Sequence, residues 1–159
     1  MVDKIKLIIF DLDGVLIEAK NIHYEALNEA LGDEYAIEWD DHLSTYDGLK
    51  TYQKLDMLTD QKGLPKSLHK QIWKQKQILT LQKLSKVNHN KSLQLMLEAL
   101  TVSGYKIVCA SNSIRKTVLT VLSKLGIMEY MDLVLSNEDV KNSKPHPEMY
   151  WKAMSIMSN

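Results

Sequence analysis

The stretch that most constrains this chain is 6–16, which reads KLIIFDLDGVL. An apolar run of Ile5, Leu7, Ile8, Ile9 and Phe10, broken only by Lys6, delivers two carboxylates, Asp11 and Asp13, and then Gly14. A continuous apolar run predicts a strand buried on both faces, as in a parallel sheet covered by helices. Acids at the carboxyl end of such a strand stand where open α/β sheets bind ligands. Residues two apart on a strand share a face, and Gly14 lets the chain turn immediately after them.

The rest of the chain supplies the helices and strands that this reading requires. Ile22, Ala26, Leu27, Ala30 and Leu31 recur at helical spacing and stop at Gly32. A second helical pattern opens at Asp47-Gly48, with Leu49, Tyr52, Leu55 and Leu58 on one face, and Asp47 is its candidate cap. Pro65 stands at a favoured first helical position for a third, carrying Leu68, Ile72, Leu79 and Leu84. Residues 17–87 therefore read as an all-helical insertion between core segments 1–16 and 88–159. In the second core segment a helix over 91–103 precedes the strand-like run 105–110. A helical stripe of Ile114, Val118, Val121, Leu122 and Leu125 follows, capped by Ser113 or Asn112. Leu133 to Leu135 is a short strand and Pro147 to Met157 a final helix, so the fold class is α/β with a Rossmann-like parallel sheet.

Composition excludes some partners. Twenty Lys plus Arg balance twenty Asp plus Glu, which gives no basic excess for nucleic acid or an acidic membrane surface. No stretch approaches the ~20 apolar residues of a membrane span, and Asp3 interrupts any secretory leader. The single cysteine, Cys109, lies in an apolar run and has no intramolecular disulfide partner, which suits a reducing, cytoplasmic setting. Trp39, Trp73 and Trp151 have no spacing of a stacking platform and are expected to pack, and the eight methionines are expected to fill the core.

Three groups stand at the ends of expected strands: Asp11 with Asp13, Ser111 with Asn112, and Lys144 in KPHPE. In order and local sequence they resemble the haloacid dehalogenase-like hydrolase superfamily, in its helical-cap branch with beta-phosphoglucomutase and phosphoglycolate phosphatase. Glu18, His23, Ala26, Gly104-Tyr105-Lys106, Pro145, Glu148 and Tyr150 agree with that resemblance. It implies that Asp11 attacks phosphorus to form an aspartyl-phosphate, since a carboxylate is ionised at neutral pH. Asp13 would protonate the leaving oxygen and later activate water. Ser111 and Asn112, with the amides entering the next helix, would bind phosphoryl oxygens, and Lys144 would neutralise charge on the phosphate and on Asp11. Magnesium (Mg2+) would sit on the Asp11 carboxylate and the Asp13 carbonyl, because this hard ion prefers oxygen. Gly48, Lys50 and Thr51 fall where relatives present a substrate-selecting loop.

The resemblance also implies a second acid pair on a further strand, yet the residues after Lys144 read as one helix to Asn159. The core thus reads as C-terminally incomplete, with the edge of the strand before Asp11 exposed, as a monomer or as a dimer that completes that edge. The implied activity is hydrolysis of a small phosphomonoester such as a sugar phosphate, phosphoglycolate or nucleotide. A phosphomutase of the same fold and a catalytically impaired, phosphate-binding fragment are the alternatives. Each feature also has a plainer reading: a solvated turn for Asp11 and Asp13, a helix cap for Ser111, a solvent lysine for Lys144, and turn formers for Asn112 and Asn137.

Overall fold

The computed structural model describes residues 6–158, so Asp3 and Ile5 lie outside the described residues. In chain order the elements are β1 (Leu7–Phe10), α1 (Lys20–Leu31), α2 (Trp39–Asp41), α3 (Thr51–Lys62), α4 (His69–Leu84), α5 (Lys91–Val102), β2 (Lys106–Ala110), α6 (Arg115–Leu125), β3 (Leu133–Leu135) and α7 (Glu148–Met157). They fall into two compact units, one holding the described residues up to Glu18 and from Val87 onward, the other Ala19–Lys86. No helix among the described residues is long and apolar enough to cross a membrane.

The first unit is built on a three-stranded parallel sheet in the order β1-β2-β3. Leu7 pairs with Lys106 and Phe10 with Cys109, while Val108 pairs with Leu133 and Ala110 with Leu135. Ile107, Val108, Cys109 and Ala110 are almost fully buried because β2 is central. β1 differs from the expected strand buried on both faces, since all four of its residues are only partly buried. The reason is topological: among the described residues β1 pairs with β2 alone and forms an edge.

Helices cover the sheet. Met149 and Ala153 of α7 join Val108, Ala110 and Leu135 in one apolar cluster. α6 buries Val118, Val121, Leu122 and Leu125, the stripe that its 3.6-residue period places on one face. Each such leucine or valine contributes about 1.5–3 kcal/mol on removal from water. At the end of α6, Gly126 takes a left-handed φ of 72° and closes the helix. The Gln94 side-chain amide approaches so near that any Cβ at position 126 would displace it, and it donates to the Gly126 carbonyl at 2.9 Å.

The start of α6 differs from expectation and that of α5 agrees with it. α6 begins at Arg115, with Ile114 and neither Ser113 nor Asn112 at the cap position. The first-turn amide of Arg115 instead donates to Glu138 Oε2 at 2.6 Å, so a residue beyond β3 satisfies it. α5 starts at Lys91, where the sequence places it, with Asn90 Oδ1 accepting from the Leu93 amide at 3.0 Å.

Every regular element of the second unit is helical, and no strand falls among its described residues. Leu27, Leu31, Ile37, Tyr46, Leu55, Leu58, Leu64 and Ile72 form its core. Asn28 holds the chain after α1 by accepting from the Ile37 amide at 2.8 Å and donating to the Ile37 carbonyl at 2.9 Å. α3 starts at Thr51, later than the Asp47 cap predicted, and the Gln53 side chain accepts from the Lys50 amide at 2.9 Å. Asp47 pairs with Lys20 instead. Pro65 precedes a short 3-10 turn, Lys66–Leu68, and α4 follows that turn.

The aromatic and methionine expectations hold in part. Trp39 and Trp73 stack on His42 and Tyr52. Trp151 is 58% exposed, and Met96 and Met154 are also exposed although Met149 is buried, because α5 and α7 each turn one face outward.

Candidate active site

β1 ends at Phe10, so Asp11 and Asp13 belong to the turn beyond it. Leu12 between them is fully buried, and its carbonyl accepts from the amides of Leu16 and Ile17 at 2.9 and 3.1 Å. With Leu12 anchored inward, its two neighbours are carried on the opposite side of the chain. Gly14 has φ 77°, a conformation that costs an ordinary side chain and lets the Gly14 amide reach the Ile17 carbonyl at 2.7 Å. The turn is thus fixed by a buried leucine and a glycine.

Asp11 Oδ1 accepts two hydrogen bonds, one from the Leu12 amide at 2.8 Å and one from Lys144 Nζ at 2.8 Å. Lys144 Nζ also donates to the carbonyl of Ala110, the last residue of β2, at 2.8 Å. That second bond aims the ammonium along the end of the sheet, and the lysine side chain is only 13% exposed.

The Lys144 backbone is held by Asn112. Asn112 Nδ2 donates to the Lys144 carbonyl at 2.9 Å, and the Lys144 amide donates to Asn112 Oδ1 at 3.0 Å. Asn137 Nδ2 in turn donates to the Asn112 carbonyl at 3.0 Å. A side-chain amide has one donor face and one acceptor face, which suits this two-point clamp. The Lys144–Pro145 peptide is cis.

Ser111 is 1% exposed, and its hydroxyl accepts from the Ser113 amide at 3.1 Å. The Ser113 hydroxyl donates to Asp13 Oδ2 at 3.4 Å, a long contact. Cys109, one residue before Ala110, has its thiol pushed up to about 12, first by burial and then by the negative charge of Asp11. It is inert in the core.

The described geometry therefore brings Asp11, Asp13, Ser111, Asn112 and Lys144 together at the carboxyl end of the sheet. Gly48, Lys50 and Thr51 lie in the other unit, at the start of α3. Ser113, expected only as a cap, reaches Asp13 instead, and Glu138 and Asp139 stand outside the expected motifs. Asp139 Oδ2 accepts from both the amide and the hydroxyl of Ser136 at 2.7 Å, and its Oδ1 meets Arg115 at 2.6 Å. Burial opposes its charge, but these hydrogen bonds outweigh burial and hold the carboxyl below its usual range. The Ser-x-x-Asp spacing of Ser136 and Asp139 was the available signal.

The donor set accommodates a hydrated magnesium ion of the kind that keeps most of its waters and takes one or two carboxylates. Asp11 retains a second carboxylate oxygen, and its side chain is 46% exposed. No group of three or more His, Cys, Asp or Glu able to hold a metal is present among the described residues.

A family model described as haloacid dehalogenase-like hydrolase matches residues 8–158. Curated relatives include the phosphorylated carbohydrates phosphatase of Thermotoga maritima, 26% identical over 149 residues that cover 90% of this chain and 66% of that protein. Pyrophosphatase PpaX of Bacillus cereus is 27% identical over 166 residues, covering 97% and 69%. The structure of beta-phosphoglucomutase from Clostridium difficile superimposes with a TM-score of 0.84 at 23% identity, covering 98% of this chain and 72% of that one. CbbY from Rhodobacter sphaeroides, in complex with phosphate, gives 0.82 at 22% identity, covering 98% and 74%. At these identities the solved structures speak to the fold. The chain spans about two thirds of the length of the first relatives it matches.

Proposed function

This chain belongs to the haloacid dehalogenase-like hydrolase family, and from that premise we propose that it hydrolyses a small phosphomonoester through an aspartyl-phosphate on Asp11. The observation that carries the reading is the fixed ion pair of Asp11 with Lys144. The Leu12 amide and the lysine hold Oδ1 and so fix the orientation of the attacking carboxylate. In the first step the Asp11 carboxylate bonds to phosphorus as the bond to the leaving oxygen breaks, and Asp13 gives that oxygen a proton. In the second step Asp13 takes a proton from water, which attacks phosphorus and frees Asp11. Lys144 offsets charge on the phosphoryl oxygens, and Asn112 keeps its backbone in place. The Ser111 and Ser113 loop, leading into α6, supplies polar groups beside the phosphoryl group.

Magnesium, held by the Asp11 carboxylate and the Asp13 carbonyl, would supply charge stabilisation at the transferred phosphoryl group. Substrate selection falls to Gly48, Lys50 and Thr51. A sugar phosphate, phosphoglycolate or nucleotide fits this class, acted on in the cytoplasm.

The test is hydrolysis of a generic aryl phosphate with and without magnesium. Magnesium-dependent release of inorganic phosphate, abolished by Asp11→Asn, supports the reading. Activity that survives Asp11→Asn overturns it, and transfer of the phosphoryl group to a sugar phosphate without release marks a mutase.

A further inference from the structure

His42 in the Ala19–Lys86 unit is used by nothing described so far. It is 1% exposed, and neither Nδ1 nor Nε2 has a hydrogen-bond partner among the described residues. Its ring stacks on Trp39 at a centroid distance of 5.4 Å and tilts against Tyr24 at 5.1 Å. Buried polar atoms are normally satisfied, so an imidazole with two vacant nitrogens is a costly choice that a leucine or phenylalanine would avoid.

The surrounding charges give that choice a use. His42 opens a π-helical turn, His42–Tyr46, a form of helix that recurs at functional positions. The Asp47 amide donates to the His42 carbonyl at 2.8 Å, so the backbone ties the two residues together. Their side chains stop just short of bonding: Asp47 Oδ1 is 3.9 Å from His42 Nε2. The other Asp47 oxygen lies 3.7 Å from Lys20 Nζ. Lys20 on α1 and Lys54 on α3 add positive charge around the ring, His23 on α1 is a further titratable neighbour, and Asp47 is the opposing carboxylate. Gly48 and Lys50 follow Asp47 directly and lead into α3.

We propose that His42 and Asp47 form an acid-operated latch: when His42 takes up a solvent proton, Nε2–H draws Asp47 from Lys20 and shifts the loop that carries Gly48 and Lys50. A neutral ring has one nitrogen to offer and no charge, so Asp47 stays with Lys20. An imidazolium donates from both nitrogens and carries the charge that a carboxylate at 3.9 Å favours. Burial, then Lys54, His23 and Lys20, hold the imidazole below its ordinary 6.5, against the pull of Asp47, so the latch stays open at neutral pH and closes under acid. The latch stands apart from the phosphatase reading, because it is read without any turnover.

Trp39 reports the event, since an imidazolium stacked on an indole quenches its emission. In the full chain carrying Trp73→Phe and Trp151→Phe, emission is expected to fall in one sigmoidal step as pH drops below about 6.5. The amide shifts of Gly48 and Lys50 are expected to move with the same midpoint. His42→Gln should remove both steps, and Asp47→Asn should move the emission midpoint to lower pH and remove the amide steps. An emission step that persists in His42→Gln overturns the latch. So does an Asp47→Asn protein with unchanged midpoint and amide steps, which decides the matter even if His42→Gln does not fold.

Discussion

Lys144 Nζ lies 2.8 Å from Asp11 Oδ1 across a sequence separation of 133 residues, and it is aimed there by the Ala110 carbonyl. The pair is half open to water on the aspartate side, so its worth to folding is about 1 kcal/mol or less. Under the proposed function its worth to transition-state charge is far larger. Lys144→Met is therefore expected to leave the thermal midpoint nearly unchanged and to lower kcat/KM by about 10²-fold or more, measured on an aryl phosphate. Equal losses in melting and turnover would show a structural lysine.

Asn112 acts on the same lysine from behind. Asn112→Ala removes two hydrogen bonds to the Lys144 backbone and is expected to cost about 1–3 kcal/mol in denaturant unfolding. It should also lower kcat, because the ammonium loses its support. Asn112→Asp keeps the acceptor for the Lys144 amide but sets an oxygen against the Lys144 carbonyl, and it should rescue little of either loss.

Asp139 makes folding sensitive to acid. Its carboxyl titrates below its usual 3.8 in the folded chain, held there by Ser136 and Arg115 against burial. The unfolded chain then binds the proton first as pH falls. The stability from Asp139 is full above about pH 4 and drains away as pH drops through the lower folded value. Asp139→Asn should lose that stability at neutral pH, and the gap between variant and parent should narrow below pH 4 in urea titrations.

Cys109 is predicted to be silent toward thiol reagents in the native state. With its thiol pushed up to about 12 and its side chain fully buried in β2, no thiolate is presented at pH 8. Modification should proceed only at the rate of opening of the sheet and accelerate with denaturant. Rapid labelling under native conditions would contradict the central position of β2.

Gly126→Ala should destabilise by about 1 kcal/mol or more, because the left-handed φ strains any Cβ and the new methyl group evicts the Gln94 amide from the Gly126 carbonyl. Thermal melts of Gly126→Ala and of Gly126→Ala with Gln94→Ala separate the two causes. The double variant should recover the part due to crowding.

Much of this arrangement was readable from the chain alone. The apolar period of Val118, Val121, Leu122 and Leu125 placed α6, and Leu133 to Leu135 marked β3, because local periodicity reports which side of an element meets the core. The DLDG turn, the Ser111-Asn112 pair and Lys144 announced a site through their order along the chain. Other features could not be read this way. The strand before Asp11 is an edge among the described residues rather than a doubly covered strand, since pairing partners are a property of topology. Asn112 proved to be a clamp on Lys144, Glu138 caps α6 in place of Ser113 or Asn112, and Asp47 serves Lys20 rather than α3. Sequence by itself determined which elements form and which polar residues stand at their ends, because residue type and period are local. Tertiary structure alone decided which of those groups touch, because a 2.8 Å bond between Lys144 and Asp11 depends on how every strand and loop between them closes.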